Sequence, residues 1–363
     1  MIMSSPKVTV LMPVYNGETY LPEAIQSILH QTFADFEFLI IDDGSTDNSW
    51  NILNNFNDAR IRLVKNDQNI GITKTLNKGL QLAKGNYVAR MDADDRCFPE
   101  RLQRQKAFLD ENLNFAMVGS WVEVIDEVGQ KIKKINFPIV SDLLRWRLLF
   151  TNTFVHSAVM YRKNAVLGIG GYFDEYEHAE DYDLWSRLST HFEVANIPEI
   201  LVSWRFRKES ISVKNAKNQK ETTEQIVKRN IAYVMGKDPD DTLFECLREL
   251  YTTTTKSLSP EDIDRLNRNT RELLDDFCQR FNYRNTAISE DIKIEITTHV
   301  FSNIFRNPCS IIEKAQLVLH WIKKLKPNPF RMFFIFFFRR TMIGTRIQSL
   351  LKKINTERFA TNG

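Results

Sequence analysis

Short apolar runs alternate with stretches of helical periodicity through the first half of the chain. Val8–Met12, Phe36–Ile41, Ile61–Val64 and Tyr87–Met91 read as strands. Between them, Tyr20–His30, Ser45 to about Phe56 and Thr73–Ala83 read as helices, the second capped by Ser45 or Thr46. Pro99 opens a further helix that runs to about Glu111. This alternation predicts a mostly parallel sheet with helices on both faces. Phe115–Ile125 and Lys131–Phe137 read as two more strands, joined near Glu127–Gln130 as a hairpin.

Beyond about Val213 the texture changes. Glycine becomes rare, charges are frequent, and helical spacing covers Asn215–Met235, Asp241–Ser257, Pro260–Tyr283 and Glu290–Phe305. The reading is an α/β domain over residues 1–214, followed by an α-helical region over residues 215–363. Neither an internal repeat nor a low-complexity linker interrupts it.

The chain has 363 residues, 43% of them hydrophobic, which allows two domains with full cores. Cys97, Cys246, Cys278 and Cys309 form no CxxC pair, which fits a reducing compartment without structural zinc. A strand pattern starts at Lys7 with no signal peptide before it, so a cytoplasmic protein is expected. No apolar stretch approaches the roughly 20 residues that span a bilayer as a helix.

The formal net charge is +3, but Trp321–Lys353 carries nine Lys/Arg and no acid, which leaves −6 for the remainder. Inside that segment Met332–Phe338 is an unbroken apolar run, preceded by Arg331 and followed by Arg339 and Arg340. Too short to span, it suits an interfacial element that places aromatics among headgroups and arginines on anionic lipid. The plainer alternative is a buried helix. The expected partner is an anionic membrane surface, met peripherally on the inner face of the plasma membrane; nucleic acid is not expected.

Acidic residues end two of the predicted strands. Asp92, Asp94 and Asp95 follow Tyr87–Met91, and Asp42 and Asp43 follow Phe36–Ile41. Carboxylates at one sheet edge suit a hard divalent cation with phosphate as co-ligand, and point to a nucleotide-diphosphate site. Alone, Asp92-Ala93-Asp94 also fits a solvated loop. Asp42 and Asp43 can accept from a base N–H or a ribose hydroxyl, or build an Asx turn beside a cap. Pro13 and Tyr15 end the first strand, and Tyr15 either stacks on a base or packs in a turn. Asn69 and Gly71 precede a helix whose N-terminus can face phosphate. Neither a P-loop nor GxGxxG is present, so a nucleotide hydrolase or a dinucleotide fold is not supported.

In order and spacing, Val10–Asn16, Asp42–Ser45, Asn69–Gly71, Asp92–Asp95 and Glu180-Asp181 resemble the family 2 inverting glycosyltransferases of the GT-A fold, over roughly Val8–Ser212. The resemblance implies a nucleoside pocket lined by Pro13, Tyr15 and Asp43, with Asp42, Asn69 and Gly71 nearby. It implies that Asp92 and Asp94 handle ribose, diphosphate and a Mg or Mn ion. It puts Asp181 at the catalytic base, with Glu180 as the next candidate. It places His156 and Arg205 near acceptor or diphosphate, and Arg207 where a histidine metal ligand is often seen. Inversion independently requires one base opposite the leaving group, and a carboxylate beside apolar Leu184 and Trp185 can have a raised pKa. The other reading of that stretch is an acid-rich helix start. His156, beside apolar neighbours, also fits a satisfied core residue.

The Gln-x-x-Arg-Trp signature of processive synthases is absent, which implies one sugar added per encounter. The expected activity is transfer from a nucleotide-sugar, a UDP-sugar foremost, to a lipid-linked or polysaccharide acceptor in bacterial surface-polysaccharide assembly. A sugar nucleotidyltransferase would need a glycine- and basic-rich triphosphate loop near the N-terminus, where only Gly17 is found. A non-catalytic nucleotide-sugar-binding partner would have no need of Asp92, Asp94 and Asp181 together.

Overall fold

A computed structural model describes residues 6–139, 141–207, 215–248, 259–283 and 291–297. They fall into two compact units that divide between Ile231 and Ala232.

The first unit is built on one sheet. Its strands are β1 (Val8–Val14), β2 (Phe36–Asp42), β3 (Ile61–Lys65), β4 (Tyr87–Arg90), β5 (Arg96–Cys97), β6 (Phe115–Ile125), β7 (Lys131–Ile135), β8 (Met160–Arg162) and β9 (Glu193–Arg205). The helices before β9 are α1 (Leu21–Leu29), α2 (Ser49–Asn54), α3 (Ile72–Leu82), α4 (Arg101–Glu111), α5 (Ser141–Arg147), α6 (Lys163–Gly168) and α7 (Glu180–His191). The strand order is β3-β2-β1-β4-β8-β6-β9-β5, with β7 paired to β6 outside that path.

The parallel part is β3-β2-β1-β4. Every residue of β1 and β2 is buried, which is why both read as continuous apolar runs and not as alternating ones. Register sets the functional edge. Val14 pairs with Asp42 and Leu11 with Arg90, so the C-terminal ends of β2, β1 and β4 lie side by side. Asp42 and Asp43, Pro13 to Tyr15, and Asp92 to Asp95 therefore share one rim.

The expected hairpin is present as β6 and β7, antiparallel to each other. β8 pairs antiparallel with both β4 and β6, and β9 runs parallel to β6. The sequence reading did not identify β8 or β9. Pro198 and Glu199 interrupt the apolar pattern of β9, and its register against β6 shifts in the same region. The second helix is shorter than expected, starting at Ser49 instead of Ser45. The Ser45 hydroxyl accepts from the Asn16 N–H (3.0 Å) and Ser49 from the Gly17 N–H (2.9 Å). Those side chains tie two loops together instead of capping a helix.

After β9 comes α8 (Ala216–Met235), which crosses the division between the units. The second unit contains α9 (Asp241–Arg248) and α10 (Pro260–Arg280), with residues 291–297 also helical. α10 starts with a capping box in which Ser259 and Asp262 satisfy each other's backbone N–H. Phe244, Leu247, Leu273 and Phe277 form its buried side. Residues 249–257 of the expected Asp241–Ser257 helix and the basic Phe-rich segment around 321–353 lie outside the described residues. Among the described residues, no helix is long and apolar enough to cross a membrane.

Candidate active site

The loops after β1 and β2 are braced against each other. Asn16 adopts φ 51°, and its Oδ1 accepts from the Thr46 N–H at 2.8 Å. Glu18 N–H donates to Asp47 Oδ2 (3.0 Å), and Asn48 N–H to Glu18 Oε2 (2.9 Å). Gly44 is required here. Its φ is +71°, and an added Cβ would lie 2.5 Å from the Gln68 backbone carbon. That close approach brings the loop before α3 against Asp43. Asp43 Oδ1 accepts from Asn66 Nδ2 (2.7 Å) and the Ile70 N–H (3.0 Å), and Oδ2 from the Gly71 N–H (3.0 Å). Both Asp43 oxygens are thus engaged in holding residues 66–71.

Asp42 is fully buried, and its Oδ2 has no protein partner. Its other oxygen makes only a long 3.4 Å contact with the Ser45 N–H. Its Oδ2 is therefore a buried carboxylate oxygen whose hydrogen-bonding capacity no protein group fills. Tyr15 is about half exposed on the same rim. Asn69 is exposed, and its side chain accepts from the Gly71 N–H (3.0 Å).

The acids after β4 sit in a charge-balanced cluster. Arg90, buried at the end of β4, forms an ion pair with Asp92. The Ser157 hydroxyl hydrogen-bonds Asp92 Oδ2 (2.6 Å) and also Asp95 Oδ2. Asp95 Oδ1 accepts from the Arg205 N–H at 2.7 Å. Asp94 Oδ2 pairs with Arg207 at 2.9 Å. Burial pushes Asp92 up, but the Arg90 charge and the hydrogen bonds from Arg90 and Ser157 outweigh it and hold the carboxyl below its ordinary range. Asp94 is raised by burial and by the Asp92 charge, and Asp95 more strongly by burial, Asp94 and Asp92.

This donor set suits a hard cation in one respect: crowded carboxylates carry a repulsion that a divalent ion would relieve. Among the described residues, no group of three or more His, Cys, Asp or Glu side chains is arranged to hold a metal alone. An ion here would take Asp92, Asp94 and non-protein oxygens.

Glu180 and Asp181 begin α7. Asp181 Oδ1 accepts from the Tyr182 N–H (2.6 Å) and Oδ2 from Asn152 Nδ2 (2.9 Å). Burial drives the Asp181 pKa up to about 6 despite those two donors. Burial and the neighbouring Asp181 charge push Glu180 to about 7, and Glu180 Oε2 is buried without a partner. Two residues on, Asp183 has a different task. It is fully buried and paired with Arg187 (2.6 Å) and with Arg229 of α8.

His156 Nε2 hydrogen-bonds the Tyr172 hydroxyl at 3.0 Å, and its ring lies 5.8 Å from that of Trp185. Burial and Arg90 hold its pKa well below the usual histidine value. It is a neutral member of an aromatic cluster, next in sequence to Ser157. Arg205 is committed within the protein. Its Nε donates to the Asp94 carbonyl (2.8 Å), Nη1 to the Asp126 and Glu127 carbonyls (3.1 Å each), and Nη2 pairs with Glu23. Arg207 is the more exposed cation beside Asp94.

The structure thus brings Asp42, Asp43, Asp92 and Asp94 to one rim. Sequence reasoning missed three residues that organise it: Arg90, Asn152 and Ser157. A charged residue closing the apolar run of β4 was the available signal for Arg90. The other two lie in an irregular loop with no period to read.

Comparison with known proteins shows the family. Residues 9–168 match the family described as Glycosyl transferase family 2. An uncharacterized glycosyltransferase of Haemophilus influenzae is 33% identical over 247 residues, covering 64% of this chain and 75% of that protein. An Escherichia coli UDP-Gal:alpha-D-GlcNAc-diphosphoundecaprenol beta-1,3-galactosyltransferase is 33% identical over 57% of this chain and 76% of its own length. Among solved structures, S. aureus TarS 1–349 in complex with UDP-GlcNAc has a TM-score of 0.54 at 17% identity, covering 88% of this chain and 90% of that one. The mostly parallel sheet with helices packed on it is a GT-A type fold. The chain belongs to glycosyl transferase family 2.

Proposed function

We propose that this protein transfers one sugar, with inversion, from a UDP-sugar to a hydroxyl of a lipid-linked or saccharide acceptor in surface-polysaccharide assembly. The observation that carries this reading is the loop from Asn152 to Ser157. At one end Asn152 holds Asp181, and at the other Ser157 holds Asp92. A short, continuous piece of chain thus fixes a raised-pKa carboxylate relative to the acids of the diphosphate site.

Asp181 takes the proton from the acceptor hydroxyl as it attacks the sugar carbon. Its pKa of about 6 leaves it ionised at neutral pH yet basic enough to accept that proton. The Asn152 amide and the Tyr182 N–H orient the carboxylate. With Asp181 acting as base and not as nucleophile, transfer is a single displacement, hence inversion. Asp42, whose Oδ2 no protein group satisfies, is the acceptor for the nucleobase or ribose, and Tyr15 and Pro13 lie on the same rim. Asp43, Asn69 and Gly71 shape the loop that closes it. Asp92 and Asp94 would hold a Mg or Mn ion, which neutralises charge on the leaving diphosphate when bound. Arg207 adds a protein cation beside Asp94, and Arg205 fixes the backbone of that turn.

The acceptor reading draws on the relative named for a diphosphoundecaprenol-linked acceptor. An enzyme using such a lipid works at a membrane surface, on the cytoplasmic face where nucleotide-sugars are found.

The test is a donor screen that reads free nucleoside diphosphate, run with Mn, with Mg and with chelator. Release from one UDP-sugar, lost with chelator, supports the proposal. Release from no donor in the presence of lipid-linked acceptors overturns it.

A further inference from the structure

The hairpin of β6 and β7 has a surface that the transfer chemistry does not use. Its turn, Asp126–Gly129, is closed by the Gly129 N–H on the Asp126 carbonyl (3.1 Å). Asp126 Oδ1 also accepts from the Val128 and Gln130 N–H groups at 3.0 and 2.7 Å. Gly129 has φ +86°, so the turn is well built. Yet Val128 occupies its tip, 80% exposed, where glycine, asparagine or serine is the usual choice. Ile132, on β7, is 53% exposed. Lys131, Lys133 and Lys134 neighbour it along the strand, all exposed. Lys131 pairs with Glu123 at 3.0 Å.

Lysines on an edge strand commonly prevent edge-to-edge association. That role accounts for the lysines but not for the apolar tip, because edge protection would put a polar residue at Val128 and Ile132. An exposed aliphatic tip, with Glu127 beside it, leading into a strand whose Ile132 lies between lysines matches an anionic bilayer, which offers acyl chains beneath negative headgroups.

The tip is also fixed relative to the acids of the active site. Arg205 holds the Asp126 and Glu127 carbonyls and, with its Nε, the Asp94 carbonyl. Arg96 donates to the Gly129 carbonyl at 3.2 Å. Whatever the tip rests on is therefore held in a set orientation to the Asp92–Asp95 turn.

We infer that the β6–β7 hairpin docks on an anionic lipid surface through Val128, Ile132 and the neighbouring lysines, and so presents the active-site rim to a membrane-borne acceptor. This rests on the membrane-facing reading above.

The test uses the full chain with Val128→Cys carrying an environment-sensitive fluorophore. The parent chain, treated identically, supplies the blank for its own cysteines. Vesicles of phosphatidylcholine with phosphatidylglycerol should shift the emission to the blue; vesicles of phosphatidylcholine alone or high salt should abolish the shift. In the unlabelled chain, Val128→Asp with Lys133→Glu should weaken partition into anionic vesicles by roughly tenfold, with thermal unfolding and donor turnover unchanged. If the chain floats with anionic vesicles while the probe keeps its aqueous spectrum, the hairpin is not the docking element, though the membrane reading stands. If the chain does not float at all, both fail. A blue shift that depends on protein concentration without vesicles would assign this face to contact between copies and overturn the inference.

Discussion

Asn152 donates a 2.9 Å hydrogen bond to Asp181 from the same short loop in which Ser157 hydrogen-bonds Asp92. The bond favours the ionised carboxylate, opposing the burial that raises it. Asn152→Ala should therefore push the Asp181 pKa higher. The expected outcome is an acidic limb of the transfer profile displaced to higher pH and a rate at neutral pH lower by roughly tenfold. A pH–rate profile of the variant checks this, and an unmoved limb would exclude the bond from control of the base.

In the parent enzyme, transfer should fall as pH drops through the range of about 6 to about 7 set by Asp181 and Glu180. The sign follows from the role: a base works ionised, and protonation removes it. Since the two carboxyls are adjacent, the observed limb belongs to the pair. Glu180→Gln should leave one titration and retain transfer, as measured from initial rates between pH 5 and pH 8, on the order of one unit either side of that range.

Asp183 separates from Asp181 by stability. It is fully buried against Arg187 and Arg229, which are themselves only partly buried, so Asp183→Ala leaves two arginines without their carboxylate and should cost about 1.5–3 kcal/mol. Urea denaturation reads that loss directly. A cost below roughly 1 kcal/mol, within the range of an exposed ion pair, would show that the arginines find other partners.

Gly44→Ala combines a positive φ with a Cβ placed 2.5 Å from the Gln68 backbone. It should destabilise the fold by at least about 2 kcal/mol. It should also weaken nucleotide binding, because the displaced loop carries the partners of Asp43. Unfolding curves and calorimetry on the same preparation separate the two effects.

The parallel half of the sheet was legible because β1, β2 and β4 are buried along their length and therefore mostly apolar. The acids that end β2 and β4 were legible for the same reason, since each interrupts such a run. Asp181 stood out through resemblance and through the apolar Leu184 and Trp185 beside it. The shared loop was not legible. Asn152 and Ser157 act through positions that only tertiary packing defines, and β8, at three residues, is too short to give a period. Arg205 shows the opposite limit. Its place in the sequence suggested contact with diphosphate, whereas its donors go to backbone carbonyls and Glu23.

The binding role of the acids can be separated from the chemical one. Asp94→Asn keeps the shape of the turn and removes a charge from the proposed ion site. Calorimetry with UDP should show the Mn-dependent part of the affinity lost and the metal-free part kept. Equal Mn dependence in both proteins would place the ion elsewhere.

Asp181→Asn tests the central claim most directly. Asparagine is nearly isosteric with aspartate but accepts no proton. Donor affinity and single-turnover transfer should be measured on the same folded protein. The account predicts affinity within about twofold of the parent and transfer slower by roughly 10²–10⁴-fold. Transfer at the parent rate, with donor bound, would contradict the assignment of Asp181 as the base.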